Sequence, residues 1–92
     1  MHLEIVSPEA TLFTGEVDSV IVPGTTGSFQ MLNNHAPIVS TLKEGTVTIS
    51  GKMELDHLVQ NKFKKQDDNT TLFEISSGTV EMRNNKLILL AD

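Results

Sequence analysis

Turn signals recur along this chain too often for anything longer than a short strand to fit between most of them. Ser7-Pro8-Glu9, Pro23-Gly24, Asn33-Asn34-His35-Ala36-Pro37, Gly78 and Asn84-Asn85 each interrupt a run built for extended backbone. Glycine and asparagine tolerate left-handed angles and proline fixes its own φ, so each cluster reverses or bends the chain. Between them the side chains alternate. Leu3 and Ile5 are interleaved with His2 and Glu4, and Val47 and Ile49 with Thr46, Thr48 and Ser50. Val80 and Met82 are interleaved with Glu81 and Arg83. A period of two places one set on a core face and the other toward water. Glu16 to Val22 and Leu72 to Ser76 read as further strands. Lys86 to Leu90 is apolar on both faces, which suits a central or covered strand. No helix–strand alternation calls for a parallel sheet. The expected fold class is all-β, an antiparallel sandwich or flattened barrel.

The stretch 52–69 departs from this pattern. Leu55, Leu58, Val59 and Phe63 fall at helical spacing, with Asp56, Gln60, Lys62 and Lys64 opposite. A short amphipathic helix fits, and so does a long strand running into a mobile loop at Lys64 to Asn69. The flanking hairpin favours a strand or an irregular excursion.

The 92 residues make one small domain, and a hydrophobic content of 38% is enough for one modest core. With no cysteine, disulfides and thiolate metal sites are excluded. A formal charge of −5 argues against nucleic acid, which needs a basic face, and the lack of Trp and Tyr removes the best stacking residues. The acidity suits either plain solubility or a basic protein partner. No apolar run reaches the roughly 18–20 residues that cross a bilayer, and Met1 to Pro8 lacks the layout of a signal peptide. The expectation is a soluble intracellular chain that enters structure at once.

Residue types that could carry chemistry are scattered. Glu16 and Asp18 would share a strand face about 7 Å apart, an arrangement that a small hydrolase could use and that a solvated strand face explains more simply. His2, His35 and His57 have no metal-ligand spacing. Gly24-Thr25-Thr26-Gly27 lacks the Gly-Lys-Ser/Thr of a phosphate loop. His35 is set in a turn bounded by Asn33-Asn34 and Pro37, where its ring can bond the turn's own backbone, meet a partner, or do both. No catalytic, cofactor or metal residue is expected. The segment from Val22 to Pro37 reads as a shaped docking loop, with Pro23, Gly24, Gly27, Pro37 and, further on, Gly78 as its structural turn residues.

Several blocks, in this order and spacing, resemble one family. They are Leu3-Glu4-Ile5-Val6-Ser7-Pro8-Glu9, Leu12-Phe13-Thr14-Gly15-Glu16-Val17, Pro23-Gly24 with Gly27, and His35-Ala36-Pro37 with Leu42 and Gly45. Ser77-Gly78 with Val80-Glu81-Met82, and Leu89-Leu90-Ala91-Asp92, complete the set. The chain resembles the N-terminal β-sandwich domain of the epsilon subunit of F-type ATP synthase. The resemblance implies a flattened ten-stranded sandwich at residues 1–92, with 52–69 as an extended hairpin or insertion. It implies a non-catalytic rotor subunit in the central stalk, gripped by the gamma subunit and by the membrane ring of c subunits, peripheral to the cytoplasmic face of a bacterial inner membrane. It also implies coupling of ion flow to ATP synthesis, with no cofactor, nucleic acid or small-molecule substrate. By position, Ser28, Phe29, Met31, Asn34 and His35 would face the ring, and His35, Ser40, Ser76, Glu81 and Ile88 the gamma side. Met31, Leu32 and Ile38 are candidates for an apolar interface centre, with core positions as the competing reading for Leu32 and Ile38. Ser28 stands where the family often has an acid, and Phe29-Gln30-Met31-Leu32 replaces a small, glycine-containing stretch. The family's inhibitory C-terminal helical hairpin has no counterpart in these 92 residues, which fits a naturally short subunit or a trimmed chain. The rival expectation is a free-standing protein-binding module that uses the His35 loop.

Overall fold

The computed structural model describes residues 1–92. Ten strands follow the expected punctuation: β1 (His2–Val6), β2 (Thr11–Glu16), β3 (Ser19–Gly24), β4 (Gly27–Leu32), β5 (Ile38–Leu42), β6 (Gly45–Ser50), β7 (Phe63–Asp67), β8 (Thr70–Ile75), β9 (Gly78–Arg83) and β10 (Lys86–Ala91). They form one continuous sheet in the order β2-β1-β10-β9-β5-β3-β6-β8-β7, with β4 added on β3. The sheet bends where β3 exchanges partners. It pairs with β6 at Ser19, Val20 and Ile21 but with β5 only through Gly24 and Leu42. Curling at this corner brings Leu3, Ile5, Val80, Met82, Leu87 and Leu89 from one half against Val20, Val22, Met31, Val47, Ile49 and Phe73 from the other, in a single buried cluster. The result is the flattened, all-β sandwich that the alternation calls for.

One pair breaks the antiparallel expectation. β1 and β10 run parallel, Leu3 beside Leu87 and Ile5 beside Leu89. Parallel neighbours need a long crossover, and here the eight intervening strands supply it. This pairing makes β10 central, between β1 and β9.

The turns are more economical than the sequence suggests. Pro23 and Gly24 are the end of β3 rather than a loop, and only Thr25 and Thr26 form the reversal. Gly27 opens β4 at φ 136°, an angle that few other residues hold. Proline fits inside β3 because its missing N–H falls at the corner of the sheet, where the ladder to β6 has already ended. Asn84 and Asn85 both take left-handed angles, φ 53° and 59°, as a two-residue hairpin turn requires. Gly78 is not a turn residue. It begins β9, and a Cβ there would lie 2.3 Å from the Leu90 carbonyl oxygen, so only glycine lets the backbones of β9 and β10 approach.

The stretch 52–69 is neither a full helix nor a mobile loop. Met53 and Phe63 are buried, and Leu55 and Val59 pack half-buried against the core. Asp56 organises the bend. Its carboxylate accepts from the Leu58 N–H at 2.8 Å, and its carbonyl accepts from the N–H groups of Val59 and Gln60 at 3.0 Å. A single 3-10 turn at Gln60–Lys62 follows, and the segment expected to be a loop is largely β7, paired with β8. Phe63 stacks on its register partner Phe73 with ring centroids 4.8 Å apart. The excursion runs along the open edge of β2, where Phe13, Thr14 and Glu54 line one shallow cleft together. The apolar positions that read as a helical stripe therefore close the gap between the two ends of the sheet.

Candidate partner-binding surfaces

The outward faces of β5, β9, β10 and β1 form the best-defined surface. Register places Val39, Glu81, Ile88 and Glu4 in one row across the four strands, and Thr41, Thr79, Leu90 and Val6 in the next. Directly paired residues share a face, so these side chains all point away from the core. Val39 is 74% exposed and Leu90 48%. Apolar side chains in the middle of rigid central strands gain nothing from facing water. At one end of the face, Arg83 and Lys86 oppose each other across the β9–β10 hairpin and line a shallow cleft with Glu81, Asn84 and Ile88. The chain's salt bridges involve only Met1, His2 and Glu16, so Glu4, Glu81, Arg83 and Lys86 keep their charges unpaired. An apolar strip with an unpaired charged rim has the anatomy of a protein-docking face.

This surface joins two of the expected residues and separates the others. Glu81 and Ile88 are direct register partners on it. Ser40 pairs with Val80, on the opposite face, and its hydroxyl donates to the Thr41 carbonyl at 3.1 Å. Ser76 lies in the bend between β8 and β9. Val39 and Leu90 were not among the expected surface residues; β10 already read as apolar on both faces, and the adjacent pair Ile38-Val39 carries the same signal for β5.

The expected ring-facing residues divide as well. The segment thought to be a loop is mostly β4, so Ser28 and Asn34 sit at opposite ends of a strand, roughly 15–20 Å apart at ~3.3 Å per residue. Ser28 is exposed beside the Thr25–Thr26 turn, and Phe29 is half-buried against the core. Met31 is 0% exposed, opposite Val20. It belongs to the core and cannot touch a partner, because position 31 faces inward by the same alternation that turns Gln30 outward. Leu32 departs from the core reading: it is 55% exposed and so open to a partner. Ile38 packs half-buried against the core.

At the far end of β4 the asparagines serve the fold. Asn34 takes φ 61°, and its N–H donates to Asn85 Oδ1 at 2.7 Å, while Asn33 Oδ1 accepts from the Met1 nitrogen. These bonds tie the loop to the β9–β10 hairpin and to the start of β1. The His35 N–H returns to the Leu32 carbonyl at 3.1 Å. Its ring Nδ1 donates to the Ala36 carbonyl at 2.7 Å, which leaves Nε2 for a neighbour. The first of the two readings of His35 is thus met without closing the second. Glu16 is engaged with His2. It lies 3.1 Å from His2 Nδ1, and Thr14 lies 3.1 Å from the other ring nitrogen.

An all-β sandwich with an outward apolar row has the geometry of an assembly module, and comparison narrows the class. The whole chain, residues 1–92, matches the family described as "ATP synthase, Delta/Epsilon chain, beta-sandwich domain", and it belongs to that family. Among relatives, the ATP synthase epsilon chain of Caulobacter vibrioides is 37% identical over all of this chain and 90% of its own length. That of Chlorobaculum tepidum is 38% identical over 98% of this chain and 86% of its own. The fold is similar to that of a chain in the Tetrahymena thermophila mitochondrial ATP synthase central stalk and c-ring. The TM-score is 0.67 at 13% identity, covering 99% of this chain and 62% of the other. A subunit of this family is structural rather than catalytic.

Proposed function

We propose that this chain is a central-stalk rotor subunit of an F-type ATP synthase, linking a gamma-type subunit to the ring of c subunits and coupling ion translocation to ATP synthesis. It would be held peripherally at the membrane through that complex. The observation that carries the reading is family membership across the full chain together with an outward apolar row on its stiffest strands. A rotor element has to transmit torque without shearing. A close-packed sandwich is poorly compressible, and seven of the ten strands here have neighbours on both sides.

The two ends of β4 are too far apart to form one small contact. The Asn34–His35 end continues into the Glu81–Ile88 face through the bond between Asn34 and Asn85. We therefore assign Val39, Glu81, Ile88, Leu90 and His35 to the gamma-type partner, and Ser28 and Phe29 to the ring side. The test is to supply the chain to a synthase stripped of its epsilon chain. Co-purification with the complex and recovery of ion-driven ATP synthesis support the proposal. Failure to co-purify at micromolar chain overturns it, and recovery of an unrelated soluble protein points instead to a free-standing binding module.

A further inference from the structure

We propose that the open edge of β4 receives an extended strand from another stalk subunit, so that the sheet continues across the interface by main-chain hydrogen bonds. The sheet has three strands with a single neighbour, β2, β7 and β4. Exposed edges template unwanted pairing, and proteins guard them with charge, bulges or a covering segment. β7 carries Lys64, Lys65 and Asp67 and an irregularity between Lys65 and Asp67. β2 is irregular against β1 near Val6 and has the 52–56 segment alongside it. β4, Gly27-Ser28-Phe29-Gln30-Met31-Leu32, has no charge, no proline and no bulge in its register with β3.

Hydrogen-bond direction fixes which groups it offers. The Pro23 carbonyl accepts from the Lys43 N–H at 2.9 Å, on the side of β3 away from β4. Pro23 and Ser28 are therefore a non-hydrogen-bonded pair. By alternation so are Ile21 with Gln30 and Ser19 with Leu32. The N–H and C=O of Ser28 and Gln30, and the N–H of Leu32, point off the sheet; the Leu32 carbonyl is taken by His35. An incoming strand would meet a ladder of free donors and acceptors and would cover the exposed part of Leu32 and the half-buried Phe29. The chemistry it calls for is an uncharged extended segment with alternate apolar residues, the strand-addition mode of recognition. The edge also lies between Ser28 and His35, the residues assigned above to the ring side and the gamma side, so under that assignment a stalk segment would be the nearest donor. The donor's identity rests on the stalk reading.

Hydrogen exchange read residue by residue separates this from contact through side chains alone. In the free chain, the amides of Phe29 and Met31 exchange slowly and those of Ser28, Gln30 and Leu32 quickly. In the assembled synthase we expect Ser28, Gln30 and Leu32 to slow by at least roughly tenfold. Gln30→Pro removes an outward N–H without taking a donor from the β3–β4 ladder and should weaken retention in the complex, whereas Gln30→Ala should not. A chain that assembles with these amides still fast overturns the proposal and leaves the stalk reading intact. Protection already present in the free chain, with a doubled solution mass, means self-pairing and also overturns it. A chain that fails to assemble refutes the stalk reading instead, and with it the donor. If Gln30→Pro does not fold, exchange in the unaltered chain decides the matter.

Discussion

Single residues carry more of this fold than their size suggests. Gly78 is the sharpest case, since the position a Cβ would occupy is already held by the carbonyl of Leu90, a backbone atom that no rotamer change can move aside. Gly78→Ala must push β9 away from β10 and is expected to cost about 1–3 kcal/mol, the range of an overpacked core site. Chemical denaturation of the purified chain measures it, and a loss below about 0.5 kcal/mol would show that the strands part easily. The sequence marks Gly78 as special but not why, because a close backbone approach depends on which strand lies alongside. Met31 illustrates the same limit. Its neighbours Phe29, Gln30 and Leu32 look like an apolar foot, and only the pairing of Val20 with Met31 reveals which of the four face inward.

At the scale of elements, alternation was enough to find the strands at 45–50 and 78–83 almost to the residue, because one face of each is buried and the period of two is unmixed, while 86–91 showed itself as a short apolar run after the Asn84-Asn85 turn. The excursion at 52–62 was legible as an irregular departure but not in what it packs against. Its apolar residues answer to a gap between β2 and β7 that exists only once the sheet has curled, so no local period describes them. The helical spacing of Leu55, Val59 and Phe63 is real in that all three pack on the core, and Leu58 is the exception at 82% exposed. This division yields a paired prediction. Met53→Ala removes a buried side chain from the closure and should destabilise the chain by about 2–5 kcal/mol. Leu58→Asp changes only an exposed one and should stay within about 0.5 kcal/mol. Melting curves of the two variants check the pair, and equal losses would mean that the excursion is not the plug described.

For the molecule as a whole, the question is which face is gripped. Of the residues expected on the gamma side, Glu81 and Ile88 are neighbours on one face while Ser40 lies through the sheet from them. Sequence gave no way to see this. Two positions on different strands share a face only through a register that the alternation of either strand leaves open. The outer face of β5, β9 and β10 can be tested without touching the core, because Val39 and Leu90 are both exposed and lie outside it. The double variant Val39→Asp, Leu90→Asp should therefore melt within a few degrees of the parent. Against a partner it sets two carboxylates into an apolar strip beside Glu81, and each would have to be desolvated on binding. Affinity for a synthase depleted of its epsilon chain should fall by at least roughly a hundredfold, about 2.7 kcal/mol. Titrating the depleted complex with parent and variant measures the ratio. Unchanged affinity from a folded variant would move the gamma-type contact off this face altogether, and the open edge of β4 would then be the strongest remaining claimant for it.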